Sequence, residues 1–220
     1  MSLKKIIASL CIVLASVLAF SAESAESAKG NAEAEQSQAS DFLAKQDSIL
    51  KDYAESRQKY LEACMNLASA IGEKDFAKDC EALAKSLTSE KLSVSEMTKK
   101  IDSLLSKSGA DTFLDSAKLK LEGSAKEEYA KALESFSESF SKLVEVANKI
   151  PSLAKQAKEM IKKAPILEKL KLTDSASETI ALGNQIVSDL KSAKETAAKL
   201  VKSSKDAAVE LPKWLEDFSK

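Results

Sequence analysis

The sequence predicts an all-α fold, an elongated antiparallel helical bundle with coiled-coil-like seams, preceded by a signal peptide and a flexible tether. Three observations predict this class. The chain of 220 residues holds only five Gly and three Pro, and its body is rich in the helix formers Ala, Leu, Lys and Glu. Apolar residues recur at alternating steps of four and three, which places them on one helix face. Capping-box serines and isolated glycines divide this pattern into separate helices.

Residues 1–21 have the three parts of a secretory signal peptide. Two lysines precede an apolar run from Ile6 to Phe20, and small residues follow it. Cleavage after Ser21 fits best, with a cut after Ser24 nearly as good. The apolar run of about 15 residues is short against the ~20 that a membrane-spanning helix needs, so an uncleaved inner-membrane anchor ranks second. We therefore expect an exported protein, most simply a periplasmic one.

Residues 22–40 contain little that a core could bury, so we expect a flexible low-complexity tether in which partial helix can form. The helical bundle domain then spans residues 41–220. The sequence is compatible with one compact domain and with two sub-bundles.

The first helix of the bundle is predicted from Asp41 to Ile71, where Gly72 ends it, and a second helix runs back from Phe76 to Leu87. The sole arginine, Arg57, interrupts the first apolar seam. It is either a functional charge in a groove or, more commonly for such a residue, a side chain that extends to solvent at the edge of a bundle. The predicted seam of the first helix consists of Leu43, Gln46, Leu50, Tyr53, Arg57, Tyr60, Cys64, Leu67 and Ile71.

Two cysteines lie at matching distances from the turn between these helices. Cys64 and Cys80 are each eight residues from Gly72, so both lie at one level of an antiparallel pair, roughly 12 Å from the turn. In an oxidising compartment this predicts a structural disulfide. A redox-active pair ranks lower, because the spacing is not C-x-x-C and no basic residue lies one turn away to lower a thiol pKa.

A long central helix is the strongest signal in the chain. A capping box at Ser93 predicts a third helix up to Gly109, and a short fourth segment follows from Asp111 to Leu121. The central helix begins near Ser124, kinks near Pro151 and ends before Pro165. Its apolar stripe comprises Tyr129, Leu133, Phe136, Phe140, Leu143, Ala147, Ile150, Ala154, Ala157 and Ile161.

The C-terminal part is predicted as a short connector, a long helix and a terminal helix. The connector covers Ile166 to Leu172, and the long helix begins at Ser175. Pro212 suits the first turn of the terminal helix, whose apolar side is the candidate interaction patch. The alternative role for this patch is to close the end of the bundle. The patch consists of Leu211, Trp214, Leu215 and Phe218, and the predicted buried face of the long helix of Ile180, Gly183, Ile186, Val187, Leu190, Ala193, Ala197, Leu200, Val201 and Ala208.

The composition argues against catalysis and against nucleic-acid binding. The chain has no histidine, which removes the usual general base and the commonest zinc ligand, and it has no phosphate-binding loop. We therefore predict no catalytic residue, no cofactor and no metal site, and hence no enzyme. A formal net charge of −1 and a single arginine are atypical of a nucleic-acid-binding protein.

The predicted function is non-catalytic: an exported helical bundle that acts through protein interaction, as a scaffold, adaptor or chaperone-like protein. Its partner is another protein or a second copy of the chain. The alternative is an amphipathic-helix protein that binds lipid or a membrane surface. That alternative ranks second because Lys on the polar faces is balanced by Glu, Asp and Ser.

Overall fold

The chain folds into helices throughout the part that the structure describes. The structure, a computed structural model, describes residues 32–108, 121–163, 166–213 and 215. Of these residues 91% are helical and none is in a strand, which confirms an all-α helical bundle. The helices are α1 (Ala32–Ile71), α2 (Lys74–Ser89), α3 (Val94–Ser108), α4 (Ser124–Lys163) and α5 (Ile166–Ala207).

Several predicted segments lie wholly or partly outside the described residues. These are the signal peptide, residues 22–31 of the tether, and the fourth segment except Leu121. Helix α1 begins at Ala32, within the range 22–40 in which the sequence allows partial helix.

The described residues divide into two compact units. Unit 1 holds the residues up to Asp52 together with those of Val144–Ser188, and unit 2 holds those of Tyr53–Leu143 together with those from Asp189 onward. Helices α1, α4 and α5 contribute to both units, whereas α2 and α3 belong to unit 2 alone. Each unit is described separately below.

The apolar stripe predicted for the central helix is confirmed on α4. Nine of its ten positions are buried, and Phe140 is half-buried. The helix continues through Pro151 without a break. Further buried positions make the face wider than one seam, as a helix in contact with more than one neighbour requires. These additional positions are Ala132, Ser139, Val146 and Leu153.

The predicted helix ends are confirmed at Gly72 and Ser93. Gly72 has a φ of +87°, and the N–H of Glu73 donates to the carbonyl of Ala68 at 2.8 Å, the bond that closes a Schellman motif. At the start of α3, the backbone N–H of Ser93 donates to Glu96 Oε2 at 2.8 Å, and the N–H of Glu96 donates back to Ser93 Oγ at 3.3 Å. This is the capping box that the sequence predicts.

The C-terminal part differs from the prediction in two places. The connector from Ile166 to Leu172 is helical, because α5 begins at Ile166 rather than at Ser175. Its Leu, Glu and Lys residues are good helix formers, and no glycine separates them from the helix that follows. The second difference is Ala208, which was predicted on the buried face but is exposed beyond the helix end with a φ of +51°.

The buried face of α1 in unit 1 is rotated relative to the predicted seam. Leu43 is 43% exposed, whereas its neighbour Phe42 is buried. Gln46 does not interrupt the core: it is buried and its Nε2 donates to the carbonyl of Ser175 at 2.7 Å and to Thr179 Oγ1 at 3.4 Å. A buried amide whose NH₂ group donates two hydrogen bonds can lie in an apolar seam at little cost in folding free energy.

Candidate functional site

A buried ion pair joins α1 and α5 in unit 2. Arg57 Nη1 lies 3.4 Å from Asp189 Oδ2, and the two side chains are only 13% and 8% exposed. The hydroxyl of Tyr53 donates to the same carboxylate oxygen at 2.9 Å. The interpretation of Arg57 as a side chain that extends to solvent is therefore wrong, because its guanidinium is enclosed and paired with a carboxylate.

The electrostatics of this cluster favour a charged arginine and neutral tyrosines. Burial alone would lower the pKa of Arg57, but the charge of Asp189 raises it above its ordinary value. Burial, followed by the negative charge of Asp189, raises the pKa of Tyr53. Among the buried side-chain polar atoms of the described residues, Arg57 Nε is the one without a hydrogen-bond partner. The guanidinium is thus held by one carboxylate and by packing.

The cluster continues along α1 through Tyr60 to Cys64. The Arg57 guanidinium lies over the ring of Tyr60, with Cζ 4.7 Å from the ring centroid, in cation–π geometry. The Tyr60 hydroxyl hydrogen-bonds the Cys64 thiol, and burial raises the pKa of that thiol to about 11. Because a thiol with so high a pKa stays protonated near neutral pH, Cys64 is a poor nucleophile here.

The two cysteines predicted to form a disulfide are free thiols in the structure. They nevertheless lie in one apolar cluster, in which Cys80 is buried and Cys64 packs against it. Burial, and then the proximity of Cys64, raises the pKa of the Cys80 thiol. The two cysteines thus share one apolar cluster, and the Cys64–Cys80 disulfide stays a prediction. The cluster also contains Ala68, Phe76, Ala77, Met65, Leu104 and Leu105.

A cleft of about 290 Å³ opens beside these residues, and all five helices contribute to its lining within unit 2. Its buried lining residues are Ala63, Phe76, Ala132, Phe136 and Leu200, which form its floor. Nine of the fourteen lining residues have apolar, aromatic or thiol side chains. These nine are Tyr60, Ala63, Cys64, Leu67, Phe76, Leu105, Ala132, Phe136 and Leu200.

The polar part of the lining comes mainly from one face of α5. Ser192, Glu195, Thr196 and Lys199 are spaced three, four and seven residues from the first, which places them side by side on the helix. Ser192 and Glu195 are exposed, while Thr196 and Lys199 are half-buried. The cleft therefore has an apolar floor and a polar mouth.

Only half of the predicted interaction patch is described. Leu215 is fully buried in the core cluster of unit 2, and Leu211 packs against the same cluster. Trp214 and Phe218 lie outside the residues whose side chains the structure describes. The positions of Leu211 and Leu215 favour the alternative role, closure of the end of the bundle, and the patch as a partner surface stays a prediction.

Unit 1 has a second, open depression of about 270 Å³. Lys149 on its rim pairs with Asp52 at 2.7 Å, so one of its two cations is already neutralised. Its remaining lining residues are Lys45, Ser48, Ile49, Ser152, Leu153 and Gln156. Small polar side chains and one aliphatic pair give it little apolar depth.

No group of three or more His, Cys, Asp and Glu side chains is placed to hold a metal ion in the ranges that the structure covers. Across those ranges, no helix combines the length and apolar character that a bilayer span requires.

The functional residue that the sequence interpretation missed is Asp189. It lies between the buried Ile186 and Leu190 on the apolar face of α5, where an unpaired carboxylate would be strongly unfavourable. Asp189 is a lone carboxylate on one apolar seam, and Arg57 is a lone cation on another. Together they indicate a buried ion pair. This signal was present in the sequence.

The chain matches no protein-family model, and neither a curated protein nor a solved structure shows significant similarity to it. The class that the geometry defines is an all-α helical bundle protein with a buried ion pair and an apolar cleft.

Proposed function

We propose that the protein is an exported, non-catalytic helical bundle that acts by binding other proteins, as a scaffold, adaptor or chaperone-like component of the cell envelope. The observation that carries this proposal is the state of the reactive side chains in unit 2. Arg57 is paired with Asp189, and the Tyr53 hydroxyl donates to the same carboxylate. These groups are suited to holding helices in register and unsuited to proton transfer or nucleophilic attack.

The outer faces of both units support a binding role. Cations and carboxylates pair between helices there, as in Lys149 with Asp52 at 2.7 Å in unit 1 and Lys142 with Glu55 at 2.8 Å in unit 2. Each such exposed pair contributes only about 0–1 kcal/mol, so replacing it by a pair with a partner protein costs little stability. A stable core with mixed-charge faces can present side chains to a partner without unfolding.

The proposal is tested by site-specific photo-crosslinking in intact cells. A photoreactive residue replaces Lys51 in unit 1 or Glu134 in unit 2, both of which are exposed. We expect a discrete protein adduct from at least one position, and its identity by mass spectrometry would name the partner or a second copy of the chain. The absence of an adduct from both positions would contradict the proposal.

Flotation with liposomes separates this function from lipid binding. The apolar residues of α5, such as Ile186, Leu190 and Leu200, are buried, so contact with a bilayer requires the helix to leave the core. We expect the purified protein to remain at the bottom of a density gradient with both anionic and neutral liposomes. Flotation with either would replace protein interaction by the lipid-surface function.

A further inference from the structure

We propose that the cleft of unit 2 is a binding site for a small amphiphile with a compact apolar body and an uncharged, hydrogen-bonding polar end. This site goes beyond the protein-interaction function proposed above and does not depend on it. The cleft is lined by fourteen residues, the thirteen named earlier and Ser106, and its floor consists of the buried residues Ala63, Phe76, Ala132, Phe136 and Leu200.

The volume of the cleft sets the size of the apolar body. A cavity of about 290 Å³ is roughly twice the ~150 Å³ that accommodates one benzene molecule in an apolar protein interior. It also reaches the lower end of the range for ligand pockets, about 300 Å³. An aliphatic chain of about eight carbons or a fused bicyclic ring therefore fits by this measure.

The side chains that line the walls of the cleft favour an apolar ligand body. Phe76 of α2 and Phe136 of α4 contribute aromatic surface, and Leu67 and Leu105 add aliphatic side chains from α1 and α3. A polar group pushed into this floor would lose its hydrogen bonds to water without replacement. An apolar body instead removes both its own surface and that of the walls from water.

The mouth determines the character of the polar end. Lys199 and Glu195 are the charged residues among the described lining, and their formal charges cancel. The hydroxyls of Ser192 and Thr196, with that of Ser106 across the cleft, can both donate and accept hydrogen bonds. A mouth with no net charge and several hydroxyls favours an alcohol or amide end over a carboxylate or an ammonium group.

The α1 side of the cleft is held in place by the buried cluster. Tyr60 and Cys64 line the cleft, and behind them Arg57 stacks on Tyr60 while Asp189 holds Arg57. When a second layer of contacts already fixes the side chains that line a site, those side chains lose less conformational entropy when a ligand binds. The Arg57–Asp189 pair is thus a positioning element of this site.

Isothermal titration calorimetry of the protein as purified from cells tests the proposal. The three probes, 1-octanol, octanoate and octylammonium, have the same chain length and differ in the charge of the polar end. We expect 1-octanol to bind saturably at one site, below its solubility limit. At neutral pH we expect octanoate and octylammonium to bind about tenfold more weakly, because each brings an uncompensated charge to the mouth. Thr196→Trp should abolish octanol binding by filling the mouth.

The matched control is Ala198→Trp, which adds the same side chain to the same helix at an exposed position outside the cleft and should leave octanol binding unchanged. Ser192→Trp, at an exposed mouth position, serves as a second blocking variant if Thr196→Trp fails to fold by circular dichroism. Absence of saturable octanol binding to the unmodified protein overturns the site. Tighter binding of either charged probe overturns the uncharged end, and equal binding by mouth and control variants places the ligand elsewhere. Photo-crosslinking reports on protein partners independently of all these outcomes.

Discussion

Helices α1, α4 and α5 contribute to both units, but the polar contacts between α1 and α5 differ in unit 1 and unit 2. In unit 1 the polar link between α1 and α5 is a neutral amide, Gln46, that donates to the carbonyl of Ser175 and to Thr179. In unit 2 the corresponding link is a charged pair, Arg57 with Asp189, reinforced by the hydroxyl of Tyr53. The apolar cleft, Cys64 and Cys80 also belong to unit 2.

The difference follows from the two helices that only unit 2 contains. Phe76 of α2 and Leu105 of α3 supply walls of the cleft that unit 1 lacks, whereas the depression of unit 1 is lined by α1 and α4 alone. Adding α2 and α3 to three long helices thus creates concave apolar surface. We infer that unit 2 carries the small-molecule site and that the interior of unit 1 is structural.

The largest expected effect tests the charged link against the neutral one. Asp189→Ala leaves the Arg57 guanidinium buried without a counter-charge and should lower the free energy of unfolding by about 3–5 kcal/mol. Gln46→Leu in unit 1 removes two neutral hydrogen bonds and should lower it by about 1–2 kcal/mol. Urea unfolding followed by circular dichroism measures both losses.

A double variant separates the value of the pair from the penalty of a lone charge. Arg57→Met with Asp189→Leu should lose much less stability than Asp189→Ala alone, because no charge remains buried. If Asp189→Ala costs no more than Gln46→Leu, the charged pair does not differ energetically from the neutral link.

The second effect concerns the cysteines of unit 2. After export into an oxidising compartment we expect Cys64 linked to Cys80, which should stabilise the folded chain by about 3 kcal/mol for a loop of this length. Peptide mapping without reduction detects the linked pair, and unfolding with and without reductant gives its energy. Two alkylatable thiols in the exported protein would contradict this prediction.

The third effect is the change in stability when a larger side chain replaces a buried alanine in each unit. Ala132 lines the cleft, so Ala132→Leu has free volume to occupy and should change the free energy of unfolding by less than about 1 kcal/mol. Ala147 is equally buried in unit 1 and lines neither described cavity, so Ala147→Leu should cost about 1–3 kcal/mol by overpacking. Thermal unfolding of both variants makes the comparison, and equal losses would argue against free volume at Ala132.

The smallest effect is the pH dependence of stability that the Cys64 thiol of unit 2 adds. Burial raises the pKa of Cys64 from 9.0 to about 11, so the folded protein retains a proton that the unfolded chain loses first. The resulting stabilisation is fully present below pH 9 and is lost as the pH rises to about 11. We expect a loss on the order of 1–2 kcal/mol across this window under reducing conditions.

The control for this pH effect is Cys64→Ala, which removes the Cys64 thiol and keeps Cys80 and the rest of the chain. Its unfolding free energy should fall less steeply between pH 9 and 11 than that of the unmodified protein. Equal slopes would mean that the Cys64 thiol has an ordinary pKa.

The sequence was sufficient for features that depend on local spacing. The buried stripe of α4, the glycine cap at Gly72 and the capping box at Ser93 each follow from residues within a few turns of one another. The predicted start of α5 at Ser175 is wrong, because the prediction gives most weight to Pro165 as a helix breaker. The helix-forming residues after Ile166 outweigh that signal.

Features that depend on distant partners were less accessible. Leu43 and Phe42 are adjacent, and only the position of neighbouring helices decides that Phe42 is the buried one. The sequence places Arg57 and Asp189 as lone charges on the apolar faces of α1 and α5, but periodicity within either helix does not show that the two residues pair. The cleft arises from five helices together, so no single segment predicts it.

Chemical-shift mapping of a 1-octanol titration tests most directly whether unit 2 carries the small-molecule site. Backbone amide resonances of the isotope-labelled protein are recorded as 1-octanol is added. We expect the shifts to be confined to the cleft, with no change around Lys45–Ile49 and Ser152–Gln156. The affected residues should be Tyr60–Leu67, Phe76, Leu105, Ser106, Ala132–Phe136 and Ser192–Leu200. Saturable shifts centred on the depression of unit 1, or no saturable shifts in either unit, would contradict the account.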